Sequence, residues 1–579
     1  MLTIVRTYES RKKAEFIINQ DERYLSKFVK NFSMFRILLI CGLLVQSVFA
    51  QKLTKSDKEI IKYLKQQVGY LSSDELKGRR AGDPGELLAA SFLSEKFKEI
   101  GLTPKGNTNT YFQEFIISDG KRIGDNTSLK IDGVLLRPTI DFFPLANSKN
   151  GMASGESSPS LRESGQPWIS DLSELIEENK NNPHFDLYSA LSEKTKQAFD
   201  KGATAILFFN SSAAEDNMSF QNKDKSEPTP IPAFYVNKKA AATHLKDVSS
   251  TYKIDLNSTV VPKTRTARNV MGYLDNNAEH TVVIGAHFDH LGYGEDGNSM
   301  IRSGEPSIHN GADDNASGTS AMIELAFLMK QNKIKNHNYL FIGFSAEELG
   351  LNGSKYFVEN PTIPLNQINY MINMDMVGRL NDSSKTITIG GYGTSPSWKT
   401  MIDGVKNKNF FIRIDSSGTG PSDHTSFYRK DIPVLFFFTG LHTDYHKPSD
   451  DADKINYTGM LYIVRFIQHM IQNDKQDQKL VFTKTREQQT STSARFSVSM
   501  GIMPDYTYTG NGVRVDGLSD NRPAQKAGIA TGDIVKQVGD YKTPSVESYM
   551  QALSKFKKGD QAKVLVLRGE KELSFEIIF

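Results

Sequence analysis

Between residues 270 and about 472 the chain alternates short apolar runs with helical segments, and no other feature constrains its fold as tightly. The runs are VVIGAHFD, YLFIGFSA, INYMINMD, TITIGGY, FFIRIDS and PVLFFFT; the segments SGTSAMIELAFLMKQ and NYTGMLYIVRFIQHMIQ have helical period. Continuous apolar runs of this length suit strands buried on both faces. The alternation therefore predicts an α/β domain built on a mainly parallel sheet sandwiched by helices. In such sheets ligands gather at the carboxyl ends of the strands.

The remainder of the 579 residues leaves room for further domains, since roughly 150 residues make one. Apolar residues at 38% and charged residues at 24% exclude a collagen-like, coiled-coil, wholly disordered or membrane-embedded chain. Lys plus Arg is 70 and Asp plus Glu is 67. Eight of the basic and four of the acidic residues precede Gln51, leaving 62 against 63, a balance that points to no nucleic-acid partner. Residues 35–50 (FRILLICGLLVQSVFA), preceded by Lys27 and Lys30 and closed by Val48 and Ala50, read as a secretory signal. A secreted or periplasmic protein with no stable membrane anchor after cleavage is the expectation. The alternative, a buried helix or single anchor, is disfavoured because the stretch is short for a span of roughly 20 residues. Met34 is an alternative start. Cys41, the only cysteine, lies inside the signal after Ile40, so neither a lipid-modified N-terminus nor a disulfide is expected.

After the signal region 1–50, two helices separated by the loop GRRAGDPGE open the mature chain. Residues 118–266 change texture, with short apolar runs between Gly, Ser, Asn and Glu clusters. They read as a β-rich inserted domain with a helix at 190–201 and strands in GATAILFFN and PIPAFYV. The flanking stretches 51–117 and 267–472 then form one domain. Residues 473–494 are a polar linker, and 495–579 form a compact β-rich unit.

Five sites at or just beyond predicted strand ends carry the chemistry. His287 and Asp289 share a strand face, so the carboxylate can orient the imidazole, although such a pair also occurs as an ordinary core contact. Asp313 and Asp314 stand in HNGADDNASG before a helix, where capping is the plainer explanation. Glu347 and Glu348 follow YLFIGFSA; two adjacent acids are either solvated or, if buried, need a cation between them. Asp375 ends INYMINMD, and Tyr445-His446 follows PVLFFFT. Together, imidazoles and carboxylates without cysteine suit a polynuclear zinc site, less exclusively cobalt or manganese.

The order and local form of these five motifs resemble the co-catalytic zinc aminopeptidase family, metallopeptidase family 28, whose N-terminal lead GRRAGDPGE and KEIGLTPKG also resemble. That family includes glutamate carboxypeptidases and has glutaminyl cyclases and the transferrin receptor ectodomain as relatives. The resemblance implies two zinc ions: His287 and Asp375 on one, Glu348 and His446 on the other, and Asp314 bridging them. Asp314 is chosen over Asp313 because it stands three residues before Ser317-Gly318, as in the family's D-x-x-S-G. The resemblance further implies Glu347 as general base, Asp289 as the partner of His287, and a cis peptide from Asp314 to Asn315. It leaves Tyr445 as a candidate hydrogen-bond donor to the oxyanion, His424 as a structural residue, and His290, His309 and His442 as loop or supporting residues. The insertion resembles a protease-associated domain through AFDKGATAILFFNSS and IPAFYV. The C-terminal unit resembles a periplasmic PDZ domain through SMGIMPDYTYT, PAQKAGIATGDIVKQVGD and SVESYMQALSKF, with a groove for a peptide or protein C-terminus. The implied activity is hydrolysis of N-terminal residues from peptide substrates. A carboxypeptidase or dipeptidase of the same family is the closer alternative, and a cyclase or non-catalytic binding protein the more distant one.

Overall fold

A computed structural model describes residues 53–180, 185–224, 226–301, 305–474, 478–485, 498–504, 511–518, 522–544 and 546–579. The predicted signal at 1–50, most of the second half of the predicted linker and part of SMGIMPDYTYT lie outside the described residues. The chain divides into a unit Met1–Lys62, described only over its last residues, and a unit Tyr63–Phe579 that holds everything discussed below. No described helix is long and apolar enough to cross a membrane.

The principal sheet has nine strands: β1 Thr103–Pro104, β2 Phe112–Ile123, β3 Val260–Leu274, β4 Thr281–His287, β5 Asn338–Phe344, β6 Ile368–Met374, β7 Thr386–Gly390, β8 Phe411–Ile414 and β9 Val434–Phe438. Their order is β1-β3-β5-β4-β6-β9-β7-β8, with β2 also paired to β3. The four central strands β5, β4, β6 and β9 are parallel to one another, as expected. The flanks depart from that expectation. β3 runs antiparallel to β5, β7 runs antiparallel to β9, and the sheet is therefore mixed. The continuous apolar runs explain the centre: every residue of β4, β5 and β6 is buried, because helices cover both faces.

Helix Gly318–Gln331 buries all but three of its residues against β4 and against helices Pro84–Ile100 and Tyr457–Gln472. Helix Pro84–Ile100 starts on a proline and stops at Gly101, whose left-handed φ of 78° closes it. Helices Asn352–Glu359 and His424–Tyr428 pack together, the second against β6 and β9.

Gly318, where the Asp314 loop enters its helix, has no room for a side chain. A Cβ there would come within 2.4 Å of both the Asn315 side-chain oxygen and the Met374 carbonyl. Gly318→Ala is expected to destabilise the protein by about 1–3 kcal/mol, read as a lower thermal midpoint.

Glu324 on the same helix is 2% exposed, and one of its carboxylate oxygens has no hydrogen-bond partner among the described residues. Burial raises its pKa to about 7, against the opposing influence of Arg465. The folded state thus holds this proton more tightly than the unfolded chain does, and stability falls as pH rises from about 4.5 to 7. Glu324→Gln is expected to melt higher than wild type at pH 8, by up to about 3 kcal/mol, and to match it near pH 4.

The inserted residues are entered and left on β2 and β3, which pair from Phe112 with Val270 to Ile123 with Val260. Beyond them lie two four-stranded sheets. One is antiparallel, in the order Val134–Leu135, Ser128–Ile131, Tyr252–Ser258, Gly151–Ser157; the other orders Phe142–Pro144, Ala233–Val236, Ala205–Phe209, Pro167–Asp171. Residues from both sheets, including Leu129, Ile254, Ile169 and Phe234, share one core. The C-terminal residues form a six-stranded sheet with helices Pro523–Ala527 and Val546–Leu553, around a core that includes Met500, Val515, Val535, Tyr549 and Val566.

Candidate metal centre

The carboxyl ends of the parallel strands bring the five predicted sites to one place. His287 is the last residue of β4, Glu347 and Glu348 follow β5 by three and four residues, and Asp375 follows β6 directly. Asp314 comes from the turn before helix Gly318–Gln331, and His446 from the loop after β9. The peptide from Asp314 to Asn315 is cis.

Asp314 sits between two imidazoles. His287 Nε2 lies 3.3 Å from Asp314 Oδ1 and 3.3 Å from Asp375 Oδ1. On the other side His446 Nε2 lies 3.3 Å from Asp314 Oδ2 and 3.2 Å from Glu348 Oε2. The opposite nitrogens are occupied elsewhere: His287 Nδ1 faces the Asp289 carbonyl at 3.2 Å and its carboxylate at 3.7 Å, and His446 Nδ1 faces the Asn298 carbonyl at 2.9 Å. A proton on each Nδ1 serves those contacts and turns the Nε2 lone pairs toward the acids, the arrangement a metal-ligating histidine needs.

The electrostatics follow from burial and crowding. Burial lowers the His287 and His446 pKa values, but Asp375 and Glu347 for the first, and Glu348 and Asp314 for the second, outweigh it and hold both well above the ordinary value. Burial raises Asp314, yet the two histidines bring it well below the usual carboxylate range. Glu348 is brought down to about 2 against its burial, chiefly by His446. Glu347 goes the other way, pushed well up by burial, with His287 opposing and Asp375 and Asp423 adding to the rise. Its backbone N–H donates to Asp289 Oδ1 at 3.1 Å. Tyr445 stacks on the His446 ring with centroids 3.9 Å apart. His287, Asp314, Glu347, Glu348, Asp375, Tyr445 and His446 line one cavity of about 130 Å³, together with the apolar Met376, Phe436, Phe438 and Leu441.

His424 also borders this cavity, stacked on Phe436 at 4.5 Å, and burial lowers its pKa to about 3, so it is neutral. His309 lies 2.8 Å from Ser299 Oγ, and His442 lies 3.3 Å from Asp313 Oδ2.

Four residues near the centre went unassigned or undervalued in the sequence. His290, three residues after His287, places Nδ1 2.8 Å from Glu348 Oε1 and 4.0 Å from Asp314 Oδ2. Asn298 supplies the carbonyl facing His446. Asp450, four residues after His446, accepts the backbone N–H groups of both Asp313 and Asp314 on Oδ2, at 2.9 and 3.1 Å. Arg79, 1% exposed, donates to the carbonyls of Phe288, Asn310 and Gly311 at 2.7 to 3.0 Å. The spacing of His290 from His287 was visible; the other three depend on carbonyls or amides far away in sequence.

The donor set fits divalent cations. His287, Asp314 and Asp375 each offer an atom within 4.8 Å of the others, and so do His290, Asp314 and Glu348. Buried carboxylates this crowded are costly without positive charge among them, and imidazole with carboxylate is borderline-soft ligation suited to zinc.

Residues 269–471 match the family model described as Peptidase family M28. The chain carries an M28 peptidase domain. Residues 494–579 match the PDZ domain model. Among curated relatives, leupeptin-inactivating enzyme 1 of Streptomyces exfoliatus is 34% identical over 171 residues, covering 28% of this chain and 37% of that one. Aminopeptidase YwaD of Bacillus subtilis is 25% identical over 278 residues, covering 46% and 55%. The chain thus spans between about a third and about half the length of these two relatives. Among solved structures, the zinc aminopeptidase BSAP from Bacillus subtilis aligns over 73% of this chain and 98% of its own, at 18% identity and a TM-score of 0.39. The aminopeptidase from Aneurinibacillus sp. strain AM-1 aligns over 73% and 95%, at 21% and 0.37.

Proposed function

We propose that this chain is a zinc-dependent aminopeptidase, secreted or periplasmic, that removes N-terminal residues from peptides. The observation that carries the reading is Asp314, whose two carboxylate oxygens each lie 3.3 Å from a different imidazole within an M28 domain. His287 and Asp375 would hold one zinc ion, Glu348 and His446 the other, and Asp314 both. Zinc held there supplies Lewis acidity, polarising the scissile carbonyl and making water a better acid.

The chain's own groups do the rest. Glu347, a carboxyl made basic first by burial, takes the proton of the attacking water and returns it to the leaving amine. Asp289 fixes the His287 ring through Nδ1 and the Glu347 backbone through its N–H. Tyr445, whose ring stacks on His446, would donate to the oxyanion, and His290 would orient Glu348. In this reading 51–117 and 267–472 form the peptidase domain, 118–266 a protease-associated-like insertion that limits access, 473–494 a linker and 495–579 a PDZ-like domain that takes a peptide C-terminus.

The test is mass-spectrometric product analysis of free and N-acetylated peptides incubated with the chain from Gln51 and zinc. Loss of N-terminal residues from the free peptides alone is expected. Trimming from the carboxyl end, cyclised glutamine, or intact peptides would overturn the reading.

A further inference from the structure

The loop at 291–301 connects the candidate centre to the insertion. At one end it brackets His446: the Asn298 carbonyl faces His446 Nδ1 at 2.9 Å, and the Met300 N–H donates to the His446 carbonyl at 3.0 Å. His446 itself has a left-handed φ of 53°, a conformation that a non-glycine residue keeps only where its surroundings hold it. Between these contacts and β4, the loop sends Asp296 into a cluster of charges.

That cluster joins five segments. Arg80, from the loop before helix Pro84–Ile100, makes a two-pronged pair with Asp296 at 2.7 and 2.9 Å and reaches Asp119 at 3.0 Å. Asp119 lies on β2 and is 4% exposed; it also meets Lys263 at 2.7 Å and Arg265 at 3.3 Å, both on β3. Arg265 lies 3.4 Å from Asp296. Lys223 comes from the insertion, in the loop between strands Ala205–Phe209 and Ala233–Val236, and lands on Asp296 at 2.8 Å and on Asp119 at 3.3 Å. The neighbouring Asn222 carbonyl accepts the Lys121 N–H of β2 at 2.8 Å, which anchors the approach of Lys223.

The buried Asp119 and the partly buried Asp296 therefore each meet Arg80 from the N-terminal loop, Arg265 from β3 at the base of the insertion, and Lys223 from within the insertion. A multiply paired network of this kind, built on acids that are largely shielded from water, fixes geometry better than an isolated exposed pair does. Its consequence for the loop is specific, because Asp296 stands only two residues from Asn298.

We propose that the insertion helps to set a metal ligand: Lys223, by holding Asp296, positions the 291–301 loop that orients His446. Lys223 is on this account a positioning residue for the His446 half of the centre, and the insertion is a working part of that half. The inference rests on the reading of His446 as a zinc ligand.

Zinc binding to the full chain from Gln51, measured by competition with a chromophoric chelator, tests it without reference to activity. Lys223→Met is expected to weaken one of two zinc equivalents by about tenfold, the lower end of what lost support of a ligating histidine does, and to leave the other unchanged. Lys223→Arg is expected to restore it, since a guanidinium can reach both acids. Lys263→Met removes a similarly half-exposed lysine that pairs with Asp119 and not with Asp296, and is expected to leave both equivalents unchanged. Lys223→Met with both zinc affinities at wild-type values, whatever its thermal midpoint, would overturn the proposal and reduce the cluster to a structural fastening. Equal loosening by Lys263→Met would overturn it as well, by showing that the contact with Asp296 is not the lever. A wild-type chain that takes up no zinc overturns instead the metal reading on which the proposal stands.

Discussion

Glu347→Gln is expected to lower kcat by about 10²–10⁴-fold while leaving zinc content and fold unchanged. The substitution keeps the size of the side chain and removes its ability to accept a proton. Burial is the largest influence on the Glu347 carboxyl and drives its pKa well up, with His287 pulling the other way and Asp375 reinforcing the rise. A carboxylate of ordinary acidity would be a poor base for water; one buried among other acids is better matched. Glu347 is also independently placed, since its backbone N–H is held by Asp289. Steady-state kinetics on a chromogenic amino-acid amide, with metal analysis of the same sample, checks both halves of the expectation. Retained kcat in a zinc-loaded Glu347→Gln chain would remove Glu347 from the mechanism.

The second large effect is expected at Asp314. On the proposed two-zinc reading, Asp314→Asn should drop bound zinc from two equivalents to one or fewer and take peptidase activity to background, because each oxygen of this one carboxylate faces a separate histidine. An amide cannot serve both sides: one of its two positions is a donor, and the formal charge shared between the cations is gone. The backbone is held apart from the side chain, by Asp450 through the Asp314 N–H, so the loop has reason to stay in place when the charge is removed. Circular dichroism and metal analysis together separate metal loss from unfolding. His290→Ala makes the informative contrast. It removes an imidazole 2.8 Å from Glu348 but, on this assignment, no ligand; about tenfold weaker zinc binding with both equivalents retained is expected. Loss of a full equivalent in His290→Ala would exchange its role with that of His446.

The acid and histidine positions were legible in the sequence for a local reason. A strand buried on both faces must be apolar until it leaves the sheet, so Asp375 directly after INYMINM, and His287 at the end of VVIGAH, stand out against their own neighbours. Parallel strands bring those ends to one edge, and the resemblance carried by five ordered motifs did the rest. The antiparallel flanks were not legible, because β3 and β7 carry the same kinds of residues whichever way their neighbours run. Nor were most strands of the insertion, such as Gly151–Ser157, whose GMASGES alternates burial with little apolar content and depends on pairing with Tyr252–Ser258.

By itself, then, the sequence determined the elements of the peptidase core and the chemical types gathered at its strand ends, because burial and periodicity act on residues close together in the chain. Only the tertiary structure decided which supporting groups meet them. Arg79 reaches carbonyls more than 200 residues away, Asp450 caps amides 136 and 137 residues earlier, and Lys223 crosses to Asp296 from the insertion. Such partners are often backbone atoms, which every residue carries alike, or charges that look like any solvated surface pair. Their significance lies in a distance and in the exclusion of water, and neither exists until the chain is folded.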